Sequence, residues 1–170
     1  MIRKLEWRDM NDLVENYYSY YDELTETPDF GLVLYRERPT YASEVEWFSN
    51  LFRNVEMGDA IAVVAEENGK AIGLCDANRV RPGTDMDHVA VLGIAIRKEF
   101  RNRGIGEKMI RKVVDLARGK FEVLKLEVFS SNSGAIRLYK KIGFVEYGAI
   151  PKEIKRGGMY YDVIYMYYSL

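Results

Sequence analysis

The feature that most constrains the fold is a basic, glycine-punctuated segment, Arg101–Gly106, that separates two apolar patterns of different period. Before it, Val89–Ile96 is apolar at almost every position, as expected for a central strand covered on both faces. After it, an amphipathic run ends near Arg118, with apolar residues at helical spacing on one face. The order of these patterns predicts a strand, a tight turn and a helix.

The composition of this turn favours an anion site. Gly104 and Gly106 let the backbone approach a bulky anion, and the first amides of the following helix have no internal acceptors. Arg101 and Arg103 add positive charge on the approach. The alternative is an ordinary strand-to-helix connection with solvated basic side chains, and the segment alone does not decide between the two.

Length and charge limit the classes of protein. With 170 residues the chain fits one domain, here 1–170, and its 25 basic and 26 acidic residues leave no basic field for nucleic acid. No apolar run approaches the roughly 20 residues that span a bilayer, so no membrane partner is predicted. The start Met1–Lys4 lacks an apolar targeting segment, and the single cysteine, Cys75, cannot form an internal disulfide. A cytoplasmic setting is expected.

The chain has one histidine, His88, which excludes a multi-histidine metal site or a histidine-relay triad within one chain. No metal is therefore predicted. Acid–base chemistry must be performed by carboxylates, tyrosines, lysines or water. Cys75 is interpreted as an inert small hydrophobe.

The remaining pattern before the central strand predicts two helices and three strands. We expect a short strand Ile2–Trp7, a helix Met10–Leu24 capped by Asp9, a connection Thr25–Pro39, a helix that begins with a capping box at Ser43–Glu46 and ends near Asn54, and strands Ala60–Ala65 and Ala71–Ala77. Asn68-Gly69 between those strands is a strong hairpin signal. In the central strand, Gly93 indicates a bulge or a close approach by another backbone or a ligand.

After the turn, the pattern predicts two helices alternating with strands. These are the helix from Ile105 with Gly119 as its stop, a strand Leu124–Phe129, a helix capped by Asn132, and strands Phe144–Ile150 and Tyr160–Tyr168 separated by a loop with Pro151 and Gly157-Gly158. Alternation in the strand Leu124–Phe129 buries one face and exposes Lys125 and Glu127.

The central strand feeding R-x-x-G-x-G and the segment N-x-x-A-I-x-L-Y-x-x-x-G-F at Asn132–Phe144 stand in a fixed order. Together they resemble the GNAT superfamily of acyl-CoA-dependent N-acyltransferases, most strongly over Val89–Phe144. The resemblance implies an α/β (α+β) single-domain fold. That fold has a mixed, mostly antiparallel sheet of about seven strands, splayed at the cofactor site, with about four helices packed on it.

The resemblance also implies acetyl-CoA (coenzyme A) as co-substrate and assigns residues to it. Main-chain groups of Ile94, Ala95 and Ile96 would pair with the pantetheine arm, and Asn132 would contact that arm. The turn would hold the pyrophosphate through the residues Arg101, Asn102, Arg103, Gly104, Ile105, Gly106 and Glu107. Lys98 stands where many members have proline, which loosens the turn without removing a contact.

The implied chemistry is attack of an amine on the thioester. Tyr139, which would face the sulfur, is the candidate acid for the departing thiolate, and its alternative is a core aromatic at helical spacing. Glu127 resembles the glutamate that helps deprotonate the amine in N-terminal protein acetyltransferases of this superfamily. Its alternative is a solvated residue on a polar strand face. Asp87 and His88 are weaker candidates that would act through water.

The acceptor is expected to be a primary amine, either a polyamine-like small molecule or a peptide N-terminus. In the superfamily, the connection Thr25–Pro39 and the loop Pro151–Tyr160 would wall the acceptor site. Both are acidic, with Glu26 and Asp29 in the first, Asp22-Glu23 just before it, and Glu153 in the second. The alternative reading is surface charge. The alternative function is a non-catalytic acyl-CoA-binding module, and the fold allows for a homodimer.

Overall fold

The computed structural model describes residues 1–170. The strands are β1 (Ile2–Lys4), β2 (Ala60–Glu67), β3 (Lys70–Arg79), β4 (Val89–Ile96), β5 (Val123–Phe129), β6 (Val145–Arg156) and β7 (Met159–Ser169). The helices are α1 (Met10–Glu26), α2 (Tyr41–Met57), α3 (Ile105–Ala117) and α4 (Ser133–Ile142), with short 3-10 helices at Trp7–Asp9 and Lys98–Phe100. The predicted fold class is confirmed.

All seven strands form one sheet in the order β1-β2-β3-β4-β5-β7-β6. Only β4 and β5 are parallel, so the sheet is mixed and mostly antiparallel. These two strands pair only over Val89–Val91 and Val123–Lys125. Beyond that point they diverge, and the sheet opens into a gap between its two halves.

Helices cover both faces of the sheet. On one face, the apolar side of α3 is fully buried against β2, β3, β4 and β5, and α4 joins the same core through Tyr139 and Ile142. On the other face, α1 and α2 pack on β2 and β3 around Leu13, Phe48 and Leu51. The buried face of α3 is the apolar stripe predicted from helical spacing, whereas the buried face of α1 differs from its predicted stripe and includes Asn16 and Glu23.

The hairpin between β2 and β3 has the turn expected of Asn68-Gly69. Both residues have positive φ angles, 52° and 78°, as a two-residue hairpin turn of this type requires. Asn132 also caps its helix as predicted, because its side chain accepts a hydrogen bond from the amide of Ala135 at 3.1 Å.

Two predicted helix caps are wrong in detail. The carboxylate of Asp9 caps no amide of α1 and instead accepts hydrogen bonds from Arg3 at 2.6 and 2.8 Å, because a buried carboxylate needs a cation. In α2 the cap is Thr40, whose hydroxyl accepts from the amide of Ser43 at 3.2 Å. Both helices also run further than predicted.

The predicted loop Pro151–Tyr160 is wrong as well, because β6 and β7 continue through it as one long hairpin that turns at Gly157-Gly158. Pro151 is accommodated in β6 where the register shifts between Ile150 and Ile154. The connection between α1 and α2, residues 27–40, contains no helix or strand, as predicted.

The expectation that β4 is covered on both faces is wrong from Val91 onward. Ala90 and Leu92 are buried, whereas Val91 and Gly93 on the other face are exposed. No bulge occurs at Gly93, and its signal reflects a close approach by the side chain of Asp76.

None of the helices could span a membrane.

Candidate functional site

The gap between β4 and β5 opens into a cleft of about 830 Å³. Its walls are the two diverging strands, the turn before α3, the first turns of α4 and the start of the α1–α2 connection. Elements that lie far apart in the chain therefore meet at the point where the sheet splits.

The free edge of β4 is the first binding feature of the cleft. Bonds from the amide of Val80 to the carbonyl of Val89, and from Arg97 to Ile72, show that odd-numbered residues of β4 bond to β3. In an antiparallel ladder the even-numbered residues then point their amides and carbonyls the other way, into the gap. Ile94 therefore offers a free N–H and C=O there.

The neighbours of Ile94 behave differently. The carbonyl of Ile96 also faces the gap, but it accepts a hydrogen bond from Nε of Arg101 at 2.7 Å. The main chain of Ala95 is directed at β3, so the predicted main-chain pairing of Ala95 with a ligand is wrong. Ala95 contributes only its side chain to the cleft wall.

The turn before α3 supplies a row of free donors. The amides of the six residues from Asn102 to Glu107 donate to no acceptor in the protein. Gly104 precedes the helix with a φ of 73°, a left-handed conformation that glycine adopts without strain. Free amides at the positive end of a helix dipole form an anion site.

The two arginines of the turn have structural partners. The guanidinium of Arg101 binds both carboxylate oxygens of Glu23 at 2.5 and 2.8 Å and lies over the ring of Phe30. It therefore braces the turn against α1, and its charge is already compensated. Arg103 is exposed, lies outside the cleft lining and donates to the carbonyl of Glu99 at 2.8 Å.

Other turn residues differ in their access to the cleft. Asn102, Gly104, Gly106 and Glu107 line it, whereas Ile105 packs against the core and can contribute only its amide. Asn132 lines the cleft from the start of α4. A Cβ atom at Gly31 would lie only 2.7 Å from the side-chain amide nitrogen of Asn132. The α1–α2 connection therefore packs directly against the side chain that caps α4.

Tyr139 is buried to 93% and packs edge-on against Phe144, with ring centroids 5.8 Å apart. Its ring is thus the core aromatic of the alternative reading. Its hydroxyl has no hydrogen-bond partner in the protein. That hydroxyl is still accessible from the cleft, because Nε of Arg97 is the one polar side-chain atom that is both fully buried and without a partner. Burial raises the pKa of Tyr139, so the hydroxyl stays protonated at neutral pH.

Glu127 lines the cleft from β5, exposed and without an ion pair. Asp87 and His88 lie before the first residue of β4, outside the cleft lining. Cys75 is fully buried, as predicted. The structure thus brings Glu127, Tyr139, Ile94 and the turn together and leaves Asp87 and His88 apart.

Three residues of the predicted acidic rim have partners, and two of these partners are cations. Glu23 binds Arg101, Glu26 binds Lys98 at 2.6 Å, and Glu153 accepts a hydrogen bond from the hydroxyl of Tyr165. Asp29 lines the cleft without an ion pair. Only this residue of the rim keeps a free charge at the cleft.

Two residues near the cleft carried no recognised signal in the sequence. Arg156, in β6, donates to the carbonyls of Pro28, Phe30 and Leu32 and so fixes the start of the α1–α2 connection. Asp76, in β3, places its carboxylate beside Gly93. An acid inside the apolar run Ala71–Ala77 was a visible anomaly. Nothing in the sequence pointed to Arg156.

No group of three or more His, Cys, Asp or Glu side chains is arranged to hold a metal ion.

Among solved structures, yncA from Salmonella typhimurium, described with its cofactor acetyl-CoA, superposes with a TM-score of 0.84 at 19% identity, covering 100% of this chain and 93% of that one.

Two curated proteins are similar in sequence. An uncharacterized N-acetyltransferase from Methanocaldococcus jannaschii is 30% identical over 92% of this chain, and the L-amino acid N-acetyltransferase AaaT from Escherichia coli is 36% identical over 46% of it. The matches span 63% and 50% of the lengths of these relatives. The model of the acetyltransferase (GNAT) family matches residues 7–144, the segment that builds the splayed strands, the free-amide turn and the cap at Asn132. The chain therefore belongs to the GNAT family.

Proposed function

We propose that this protein transfers an acetyl group from acetyl-CoA to a primary amine by direct attack on the thioester. The observation that carries the proposal is the row of free amides from Asn102 to Glu107 at one end of a cleft whose wall is the unpaired edge of β4. A ligand with a diphosphate and an extended amide-bearing arm matches both features.

The binding mode follows from these donors. The pyrophosphate would accept hydrogen bonds from the turn, and the pantetheine arm would lie along β4 as an added strand bonded to Ile94. Asn132 would contact the arm from the start of α4. Arg137, which lines the cleft from α4 without an ion pair, can add charge for phosphate groups.

The chemistry needs three contributions. The amine nitrogen forms a bond to the carbonyl carbon, the carbon–sulfur bond breaks, and the amine loses a proton while the thiolate gains one. The amide of Ile94 would stabilise the oxyanion. Tyr139 would protonate the sulfur, and Glu127 would help to remove the amine's proton through water.

The acceptor we propose is a cationic amine without a neighbouring carboxylate, such as a polyamine or a peptide N-terminus. Asp29 and Glu127 are unpaired acids of the cleft, whereas Arg101 is neutralised by Glu23. The remaining unpaired cation, Arg137, lies on α4 in the part of the cleft assigned to the cofactor. A free α-amino acid would therefore find no unpaired cation for its carboxylate among the side chains that line the acceptor end.

The test is release of free thiol when acetyl-CoA is mixed with a panel of polyamines, short peptides and L-amino acids. We expect the fastest release with polyamines or peptides. The amino-acid arm matters because AaaT, the relative from Escherichia coli, is an L-amino acid N-acetyltransferase. Release that never exceeds the amine-free control would favour the alternative, a non-catalytic acyl-CoA-binding module.

Two further expectations accompany this proposal. We propose that residues 1–170 form a single N-acetyltransferase domain, since all strands share one sheet. A homodimer stays a prediction, which sedimentation of the purified protein can check.

A further inference from the structure

Asp76 occupies an unusual position beside the cleft. It pairs directly with Gly93 in the β3–β4 ladder, so both residues face the same side of the sheet. A Cβ atom at Gly93 would lie 3.3 Å from Oδ1 of Asp76, which means that the carboxylate reaches over the space where a side chain would otherwise stand. Gly93 is exposed and lines the cleft, and the carboxylate of Asp76 lies directly behind it, outside the cleft lining.

This carboxylate lacks the cationic partner that two of the three buried acids have. Asp9 binds Arg3, and Glu23 binds Arg101. Asp76 accepts a hydrogen bond only from the amide of Asn78 and has no lysine, arginine or histidine within ion-pair distance. A partly buried carboxylate without a cation is costly unless a ligand supplies the positive charge.

The surroundings of Asp76 suit a group that exchanges protons near neutral pH. Burial raises its pKa to about 6, partly offset by the hydrogen bond from Asn78. Its ladder partners, Ala62 and Gly93, do not titrate, and no charged side chain on α1 or α2 is close enough to change the pKa. The thiol of Cys75 is adjacent in sequence and fully buried, and its pKa is raised by that burial.

We propose that Asp76 binds the ammonium group of the acceptor and accepts its proton. The inference rests on the proposed function, because it assigns a role in that reaction. One proton moves from the amine nitrogen to a carboxylate oxygen, which leaves a neutral amine and a carboxylic acid that later releases the proton to water. The freed nitrogen then stands at Gly93, next to Ile94, whose amide faces the gap where the thioester carbonyl would lie.

Glu127 differs from Asp76 in position and solvation. It stands on β5, across the gap, and is exposed. Its charge attracts a cation to the cleft and its contact with the amine is through water, whereas Asp76 contacts the amine directly. Removal of the Glu127 carboxylate should therefore weaken the attraction of a cationic amine, whereas removal of the Asp76 carboxylate should remove the proton acceptor.

The experiment compares wild type, Asp76→Asn and the matched control Asp115→Asn, an exposed aspartate on α3 without an ion pair. Thiol release is measured with spermidine and with a short peptide from pH 5.5 to 9.5, and acetyl-CoA affinity is measured by calorimetry. For Asp76→Asn we expect kcat/KM for the amine to fall about 100-fold at pH 7, with acetyl-CoA affinity unchanged. The low-pH limb near pH 6 should disappear, leaving a rate that follows the free amine concentration.

A second variant keeps the carboxylate and obstructs access to it. Gly93→Ala adds a methyl group close to Oδ1 of Asp76 and should lower kcat/KM for the amine several-fold. An Asp76→Asn protein with wild-type kcat/KM and an unchanged low-pH limb would overturn this inference while leaving the proposed function intact. Wild-type protein that releases no thiol with any amine would instead overturn the proposed function.

Discussion

Tyr139 shows how one side chain serves both the core and the cleft. Its ring is packed against Phe144, while its hydroxyl reaches the cleft without a protein partner. The raised pKa keeps the proton on the tyrosine oxygen. It also widens the difference between the pKa of Tyr139 and the pKa of an ordinary thiol. Proton donation therefore depends on the charge that develops on the leaving sulfur.

The variant Tyr139→Phe tests this role. Packing is retained and no protein hydrogen bond is lost, so thermal stability and acetyl-CoA affinity should change little. Turnover should fall by about 10² to 10⁴-fold, less if water substitutes as the proton donor. Because burial places the tyrosine pKa above the usual assay range, the pH profile between 6 and 9 should keep its shape.

Steady-state kinetics and calorimetry on the same preparation check this prediction. Tyr139→Phe with wild-type turnover would leave Tyr139 as a core aromatic only. In that case water or the thiol itself would manage the proton.

At the scale of elements, the turn before α3 is prepared for an anion by its backbone. Its six amides have no acceptor in the protein, Gly104 is left-handed, and Arg101 holds the turn in place through Glu23. Preorganised donors lower the entropic cost of binding. The side-chain charges of the turn therefore matter less than its shape.

Gly104→Asp should weaken acetyl-CoA binding by at least several-fold, because it brings a negative charge to the pyrophosphate site. The matched control is Gly104→Asn, which has nearly the same shape and the same strain at a φ of 73° but no charge. Calorimetry measures both affinities. Equal affinities for the two variants would show that charge at this turn is irrelevant to the cofactor.

The α1–α2 connection depends on a contact from the opposite end of the chain. Arg156 donates to three of its carbonyls and lies over the ring of Phe129, which holds the connection against β5. Phe30 is buried in this arrangement. The wall of the cleft is thus set by the part of β6 that lies beyond Ile150, where the strand was predicted to end.

Arg156→Ala should release this wall, because bonds from a charged donor are each worth about 1–3 kcal/mol. We expect proteolysis within residues 27–40 to accelerate about tenfold or more, together with a higher KM for the amine. Lys155→Ala, at an exposed neighbouring position, serves as the control and should change neither. If both variants were cleaved at the wild-type rate, Arg156 would not hold the connection.

At the scale of the whole molecule, the splayed sheet creates the cleft and also leaves the Asp76 carboxylate without a cationic partner. Strand β4 is paired with β3 along its length and with β5 only at its start. The open half exposes Gly93 and leaves the neighbouring carboxylate without a cation. The functional arrangement therefore has a stability cost that depends on pH.

That cost gives a prediction for Asp76→Asn. The carboxyl pKa is raised from 3.8 to about 6 in the native state, so the native protein holds an extra proton between these values. Wild-type stability therefore falls as pH rises through this window, and the variant lacks this loss. The unfolding free energy of the variant minus that of wild type should grow from about 0 near pH 4 to about 1–3 kcal/mol above pH 7.

Urea unfolding at several pH values measures this difference, and titrations common to both proteins cancel. Asp115→Asn should give a difference from wild type that does not vary across the same window. A flat difference for Asp76→Asn would mean that its carboxyl titrates normally.

Local patterns were sufficient for much of the fold. Periodicity identified α3 and β5, Asn68-Gly69 gave the hairpin, and Asn132 gave the helix cap, because each depends on neighbours within a few residues. Residue types in fixed order also indicated the family and the turn. Local patterns predicted that β6 ends at Ile150, since proline usually stops a strand and only the register shift in the long hairpin accommodates Pro151.

The sequence alone determined most of the elements, the family resemblance and the glycine turn, because apolar period, glycine and caps act over short range. Tertiary structure decided the partners: Arg101 with Glu23, Arg156 with the α1–α2 connection, and Asp76 beside Gly93. These contacts join residues up to 128 positions apart. No local pattern predicts which charge finds a counter-ion and which is left free at the cleft, since that depends on how distant strands align in one sheet.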